Sequence, residues 1–160
     1  KGSHVAYKHR AEHLQAPLAA LLDSLKVMGQ ETVVQSLTFA KLVPPLDIQQ
    51  RFGLGPNDTL VQSVRLRCAD GKPFGYFVSW TRDIGEFYNE DNLVKMSRID
   101  IFRKMGIALD RVQQSVTATL SNADTGAHLE VPVGRPLLVL DRSMYDEKGC
   151  IHCKVEGSAR

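Results

Sequence analysis

Thr59-Leu-Val-Gln-Ser-Val-Arg-Leu-Arg-Cys68, Ala69-Asp-Gly-Lys72 and Phe74-Gly-Tyr-Phe-Val-Ser-Trp-Thr81 are the segments from which the fold is read. Both long segments are rich in β-branched and aromatic residues, and the Asp-Gly between them is the strongest hairpin signal in the chain. Loop parity decides which side chains share a face. A type I turn with Gly71 in the left-handed position gives an odd loop with a bulge, which groups Ser63, Arg65 and Arg67 with Gly75, Phe77 and Ser79. Val64, Leu66 and Cys68 then join Tyr76, Val78 and Trp80 on a face that reads as core, and the arginine face reads as a mixed polar and aromatic surface. A two-residue Asp-Gly loop is the alternative, and it moves Phe77 to the core set.

Outward from the hairpin, Glu31 to Val43 reads as a strand closed by Pro44-Pro45, and Leu46 to Phe52 as a short helix stopped by Gly53-Leu-Gly-Pro56. Upstream, Leu14, Leu18, Leu21, Leu22 and Leu25 recur at helical spacing between Glu12 and Met28. Downstream, Asp91 to Lys104 predicts one or two helices ending at Gly106. Asp110 to Leu120 alternates Val112, Gln114, Val116, Ala118 and Leu120 against polar neighbours, the pattern of a half-buried strand. Asn122 is placed to cap a short helix through Leu129, and Leu137 to Tyr145 pairs with Ile151 to Ser158 across Asp146-Glu-Lys-Gly149. Hairpin-joined strands with helices segregated between them give an α+β fold on a mostly antiparallel sheet.

The composition narrows the function. A chain of 160 residues is one domain with a full core. Its 43% apolar and 24% charged content is that of a globular protein, and no run reaches the ~20 apolar residues of a membrane helix. Lys+Arg at 20 nearly cancels Asp+Glu at 18, so any contact with DNA is expected to lie elsewhere. Three cysteines with no secretory signal point to a reducing compartment, the cytoplasm.

Four local patterns compete for a chemical role. His9-Arg-Ala-Glu12-His13 has the spacing of a helical zinc site, but a polar helix start is the plainer reading. Gly53-Leu-Gly-Pro56 lacks the strand-to-helix setting of a phosphate loop. In Cys150-Ile-His-Cys153 a strand would send the two thiols to opposite faces, so the pair reads as structural. Asp83, Glu86, Glu90 and Asp91 read as solvated charge in a polar loop. No catalytic residue, metal ligand or cofactor site is expected.

Gly53-Leu-Gly-Pro56, Arg65-Leu-Arg-Cys-Ala-Asp-Gly71 and Lys72-Pro-Phe-Gly-Tyr-Phe-Val-Ser-Trp80 resemble, in order, blocks of the UTRA domain of HutC-type regulators in the GntR family. Gly106-Ile-Ala-Leu-Asp-Arg-Val-Gln-Gln114, Val131-Pro-Val-Gly-Arg-Pro136 and Asp141-Arg-Ser-Met-Tyr-Asp-Glu-Lys-Gly149 continue the series. The resemblance assigns residues 14–160 to that domain and 1–13 to a linker, a wing remnant or a tag scar, with the winged-helix DNA-binding domain missing. It implies a chorismate-lyase-like sheet of about six strands, a homodimer, and a small effector controlling DNA binding by the separate head. In sugar-phosphate-responsive members the Arg-x-Arg pair holds the anion, a role that Arg65 and Arg67 match, while Phe77 stands where an acid would meet sugar hydroxyls. The expected ligand is therefore a small anionic acid, carboxylate or phosphate, with an apolar or ring-bearing body. Ser79 is expected to offer a hydroxyl, Phe77 a wall, and Asp110 a partner for an amine or hydroxyl. Glu156 on the last strand completes the expected set. The competing functions are a chorismate-lyase-like enzyme acting on a small aromatic acid and a dimerisation module with a vestigial pocket.

With almost no excess positive charge and no recognition helix with basic flanks, the isolated chain is expected not to bind operator DNA. A gel-shift titration checks this, and salt-sensitive, sequence-specific retardation by the chain alone would overturn it.

Overall fold

The computed structural model describes residues 33–160. The expected helix between Glu12 and Met28 and the His9-to-His13 pattern lie outside the described residues. The element order is β1 (Val33–Leu42), α1 (Leu46–Phe52), β2 (Leu60–Ala69), β3 (Lys72–Thr81), α2 (Glu90–Lys95), α3 (Arg98–Lys104), β4 (Leu109–Leu120), α4 (Ala123–Leu129), β5 (Pro136–Asp146) and β6 (Ile151–Ala159). The six strands form one sheet in the order β1-β2-β3-β6-β5-β4, and every neighbouring pair is antiparallel. The expected α+β fold is present, with its helices inserted between hairpins.

The β2–β3 turn corrects one expectation and keeps its consequence. Ala69 pairs with Lys72, so the loop is Asp70-Gly71 alone, with φ of 51° and 73°. This is a two-residue type I′ turn, whose twist suits the strands, and not the odd type I loop. The odd residue sits one step further on: Cys68 pairs with Pro73 but Arg67 with Gly75, which leaves Phe74 as a bulge. The bulge restores the parity, and Arg65 lies opposite Phe77 with Ser63 opposite Ser79.

The arginine face, read as a surface, is covered, and the face read as core is buried at Leu66 and Trp80. Val61, Ser63, Arg65, Ser79 and Thr81 are all buried, whereas Val64, Tyr76 and Val78 on the other face are only half-buried. The cause is where the helices lie. α2 and α3 cover the arginine face, packing Leu93 and Ile101 with Val61 and Tyr88, and Phe102 with Met144, Cys153 and Val155. The opposite face takes α1 at one end, where Ile48 and Phe52 meet Leu60, Trp80 and Ile151, and α4 over β3, where His128 stacks on Tyr76 at 4.5 Å. Arg82 ties α1 to the sheet by donating to the carbonyls of Phe52 and Ile151, both at 2.8 Å.

The short helices are held by their caps. Asn89 and Ser97 accept from the backbone of Asn92 and Asp100 at the starts of α2 and α3, and Asn122 forms a full capping box with Thr125. β4 departs from expectation. It is an edge strand, where Val112 is half-buried while Val116 and Leu120 are 56% and 64% exposed. Among the described residues, no helix is long and apolar enough to cross a membrane.

Candidate functional site

On β2, Ser63, Arg65 and Arg67 stand at alternate positions, so the pleat sends all three to one face. The register extends that face across the sheet: Phe77 faces Gly157, Ser79 faces Val155, Arg142 of β5 lies opposite Val155, and Gln114 of β4 lies opposite Arg142. Arg98, the first residue of α3, reaches onto the same face. Its Nη2 donates to Ser79 Oγ at 2.6 Å and its Nε to the Tyr88 hydroxyl at 3.3 Å. Four guanidinium groups thus share one side of the sheet.

Neutral oxygens hold Arg65, Arg98 and Arg142. Tyr88 donates to Thr81 Oγ1 at 2.8 Å, Thr81 donates to Cys153 Sγ at 3.3 Å, and Ser79 donates to the Ser63 carbonyl at 3.3 Å. Arg65 Nη1 donates to the Leu93 carbonyl at 3.2 Å, and Arg142 donates from Nε and Nη2 to Gln114 Oε1 at 2.9 and 2.6 Å. Among the described residues, Arg65, Arg98 and Arg142 form no ion pair with a carboxylate. Arg65 Nε and Ser63 Oγ are buried and have no hydrogen-bond partner there. Such groups are rare in native interiors and cost about 1–3 kcal/mol each unless something fills the space beside them.

The electrostatics carry the same imbalance. Burial first, then repulsion from Arg98, pushes the Arg65 guanidinium down to about 9 from 12.5. The same two causes push Arg142 down to about 10 and lower Arg67. An anion between these groups would oppose the repulsion and supply acceptors to the unused N–H.

The floor is apolar. A Cβ on Gly75 or Gly157 would overlap the Phe77 ring, so the two glycines let that ring lie down on the backbone. Arg67 sits above it, 6.0 Å from the ring centroid. Val155, 5% exposed, continues the floor.

Arg65, Arg67, Phe77 and Ser79 from the sequence-derived set therefore come together. Asp110 does not: it is exposed at the start of β4, four strands from β2, a lateral distance of about 19 Å. Glu156 does not either. It pairs with Val78 on the opposite face, where it is exposed and lies 3.7 Å from Lys154. Sequence reasoning missed Arg98 and Arg142, although each leaves a signal. Arg98 precedes Ile101 and Phe102 by three and four, so it lies in the buried stripe of its helix; Arg142 alternates with Leu140 and Met144 on one side of a strand. A charged residue in an apolar pattern marked both.

The competing patterns separate. Cys150 is exposed and Cys153 buried, both as free thiols. Asp83 pairs with Lys41 at 2.8 Å and accepts from the Gly85 N–H; the Lys41 hydrogen bond leads in holding its carboxyl below the usual range. Among the described residues, no group of His, Cys, Asp and Glu is arranged to hold a metal ion.

The family model of the UTRA domain matches residues 27–154. No curated protein matches the sequence. Among solved structures, the chain is similar to a candidate transcriptional regulator from Streptomyces coelicolor, at 20% identity and a TM-score of 0.76 over 81% of this chain and 86% of that one. It is also similar to a GntR-family transcriptional regulator from Enterococcus faecalis, at 19% and 0.72 over 79% and 91%. The effector domain of PhnF from Mycobacterium smegmatis matches at 18% and 0.70 over 81% and 80%. At these identities the likeness establishes the fold.

Arg65 has no carboxylate partner among the described residues, so its removal is expected to cost little. Arg65→Met should change the unfolding free energy of ligand-free protein by less than about 1 kcal/mol in either direction, because relief of a buried charge offsets the hydrogen bond to Leu93. Urea denaturation measures this, and a loss near the 3–5 kcal/mol of a broken buried ion pair would mark the arginine as structural.

Proposed function

This chain belongs to the UTRA domain family, and from that membership we propose that it is the effector-sensing part of a GntR-type transcriptional regulator of the HutC subfamily, acting in the cytoplasm. In this reading it binds a small anion and is not an enzyme. DNA is bound by a separate winged-helix domain, whose affinity the effector modulates. The relatives of this fold named as transcriptional regulators support the regulatory part.

One observation carries the anionic part: buried Arg65 has an unpartnered Nε and shares its sheet face with Arg67, Arg98 and Arg142. Guanidinium forks beside a serine hydroxyl are suited to a carboxylate or phosphate. The Phe77 ring suits an apolar or ring-bearing body beside the acid. Asp110 and Glu156 stand outside this arrangement and have no part in the proposed site. These groups hold and orient a charge, which is binding chemistry.

The domain is further proposed to work as a homodimer. Val116, Leu120 and Leu138 are 56%, 64% and 58% exposed, and the strand register puts all three on one face of the β4–β5 pair. A contiguous exposed apolar face beside an edge strand suits a second copy of the chain. Sedimentation at micromolar concentration is expected to give a dimer, and a monomer at all loadings would count against it.

Replacing Arg65 or Arg67 with Ala should weaken effector binding by about 1.5–3 kcal/mol, the range for a charge-assisted hydrogen bond, with the fold retained. Calorimetry on the parent and the Arg65→Ala, Arg67→Ala double variant checks it. Equal affinity in the two proteins would remove the clamp.

A further inference from the structure

We propose that the ligand of this site carries two separated anionic groups joined by a short apolar segment, with Arg65 and Arg67 taking one end, Arg142 the other, and Arg98 standing over the row between them. This rests on the reading of the domain as an anion sensor and narrows its ligand class.

The first ground is number. One carboxylate or phosphate is satisfied by one or two guanidinium forks. Here four guanidiniums share a sheet face, and three of them, Arg65, Arg98 and Arg142, form no ion pair with a carboxylate of the described residues. A single negative charge would leave two of those three without a counter-charge among the described residues.

The second ground is spacing. Arg65 and Arg67 are on β2 and Arg142 is on β5, with β3 and β6 between them. Three strand spacings are about 14 Å at the backbone, so the arginines approach from two sides and do not all converge on one point. Arg142 is also held in place: Gln114 Oε1 accepts from its Nε and Nη2, while its Nη1 has no hydrogen-bond partner among the described residues. Arg98, fixed by Ser79 and Tyr88, stands over the row that runs from Ser63 to Arg142.

The third ground is what lies between. Phe77 rests on Gly75 and Gly157, Val155 is buried beside it, and the Ser79 hydroxyl is already engaged by Arg98 and the Ser63 carbonyl, so the floor between the two ends is chiefly apolar. Two charged ends and an apolar middle describe a short-chain diacid. Carboxylate and phosphonate ends satisfy the same forks, and the probes must distinguish them.

The test is calorimetry on the full chain at matched ionic strength, using butyrate, inorganic phosphate, succinate, glutarate, adipate and 3-phosphonopropionate. At least one diacid is expected to bind about tenfold more tightly than butyrate and phosphate. Preference for 3-phosphonopropionate over the dicarboxylates would assign a phosphate-type end, and the converse a second carboxylate. Arg142→Gln should lower diacid affinity about tenfold while changing phosphate and butyrate affinity by less than about twofold, whereas Arg65→Gln should weaken all of them. Gln114→Ala, an exposed change that frees Arg142, should reproduce the Arg142 pattern more weakly and covers the case in which Arg142→Gln does not fold. If butyrate or phosphate binds as tightly as every diacid and depends on Arg65, anion sensing stands and the two-ended ligand falls. If no probe binds in an Arg65-dependent way, both fall.

Discussion

Phe74 has no partner across the β2–β3 ladder, and the site depends on that one unpaired residue. A type I′ turn at Asp70-Gly71 carried straight down the strands would put Arg65 opposite Tyr76 and turn Phe77 to the other face. The bulge shifts the pairing by one, and in a sheet a shift of one exchanges the faces. Ser63, Arg65 and Arg67 therefore meet Gly75, Phe77 and Ser79. Each of those neighbours has a use: Ser79 accepts from Arg98, Phe77 forms the floor, and Gly75 lets the ring lie flat.

Once the register brings these groups together, the helical layer makes them costly to leave alone. α2 and α3 remove water from the face, as the Leu93 carbonyl on Arg65 and the burial of Arg98 at 7% exposure show. Desolvation without a carboxylate disfavours a charge, which is why the Arg65 and Arg142 guanidiniums are pushed down. Neutral acceptors offset part of that cost. Tyr88, Thr81 and Ser79 place oxygens around Arg98, and Gln114 turns its amide oxygen to Arg142. What they do not supply is negative charge, and a ligand can.

Arg98 also makes the site and the helical layer one unit. It occupies the first turn of α3, two residues before Asp100, whose N–H is capped by Ser97. Through Tyr88 it is joined to the apolar cluster of Val61, Leu93 and Ile101. A change at its guanidinium is thus felt at a helix start and in a core cluster. The opposite face has its own balanced chemistry, with Lys154 beside Asp141 at 3.1 Å and Glu156 at 3.7 Å.

Local physics was legible in the sequence wherever it acts over a few residues. The bounds of the helix Leu46–Phe52, the cap at Asn122, the strand pairs and the antiparallel α+β class follow from periodicity, Gly and Pro stops and turn chemistry. The family resemblance added Arg65 and Arg67 to that reading. It was less informative at distances set by the whole sheet. Asp110 was expected at the site as the start of the next strand, but strand order puts β4 at the far edge. Glu156 is one residue from the buried Val155 and faces away, since alternation gives neighbours opposite faces and only the β3–β6 register says which. The cover over the arginine face was missed for the same reason. Val64 and Val78 are more apolar than Arg65 and Ser79, yet α2 and α3 lie over the arginines, and hydrophobicity alone does not determine which face a helix covers. The sequence by itself determined the elements and the Arg-x-Arg pair, because those depend on residues near one another in the chain. Tertiary structure alone decided that Arg98 and Arg142 join them, because residues 65, 98 and 142 come to one sheet face only when four strands and a helix have taken their places.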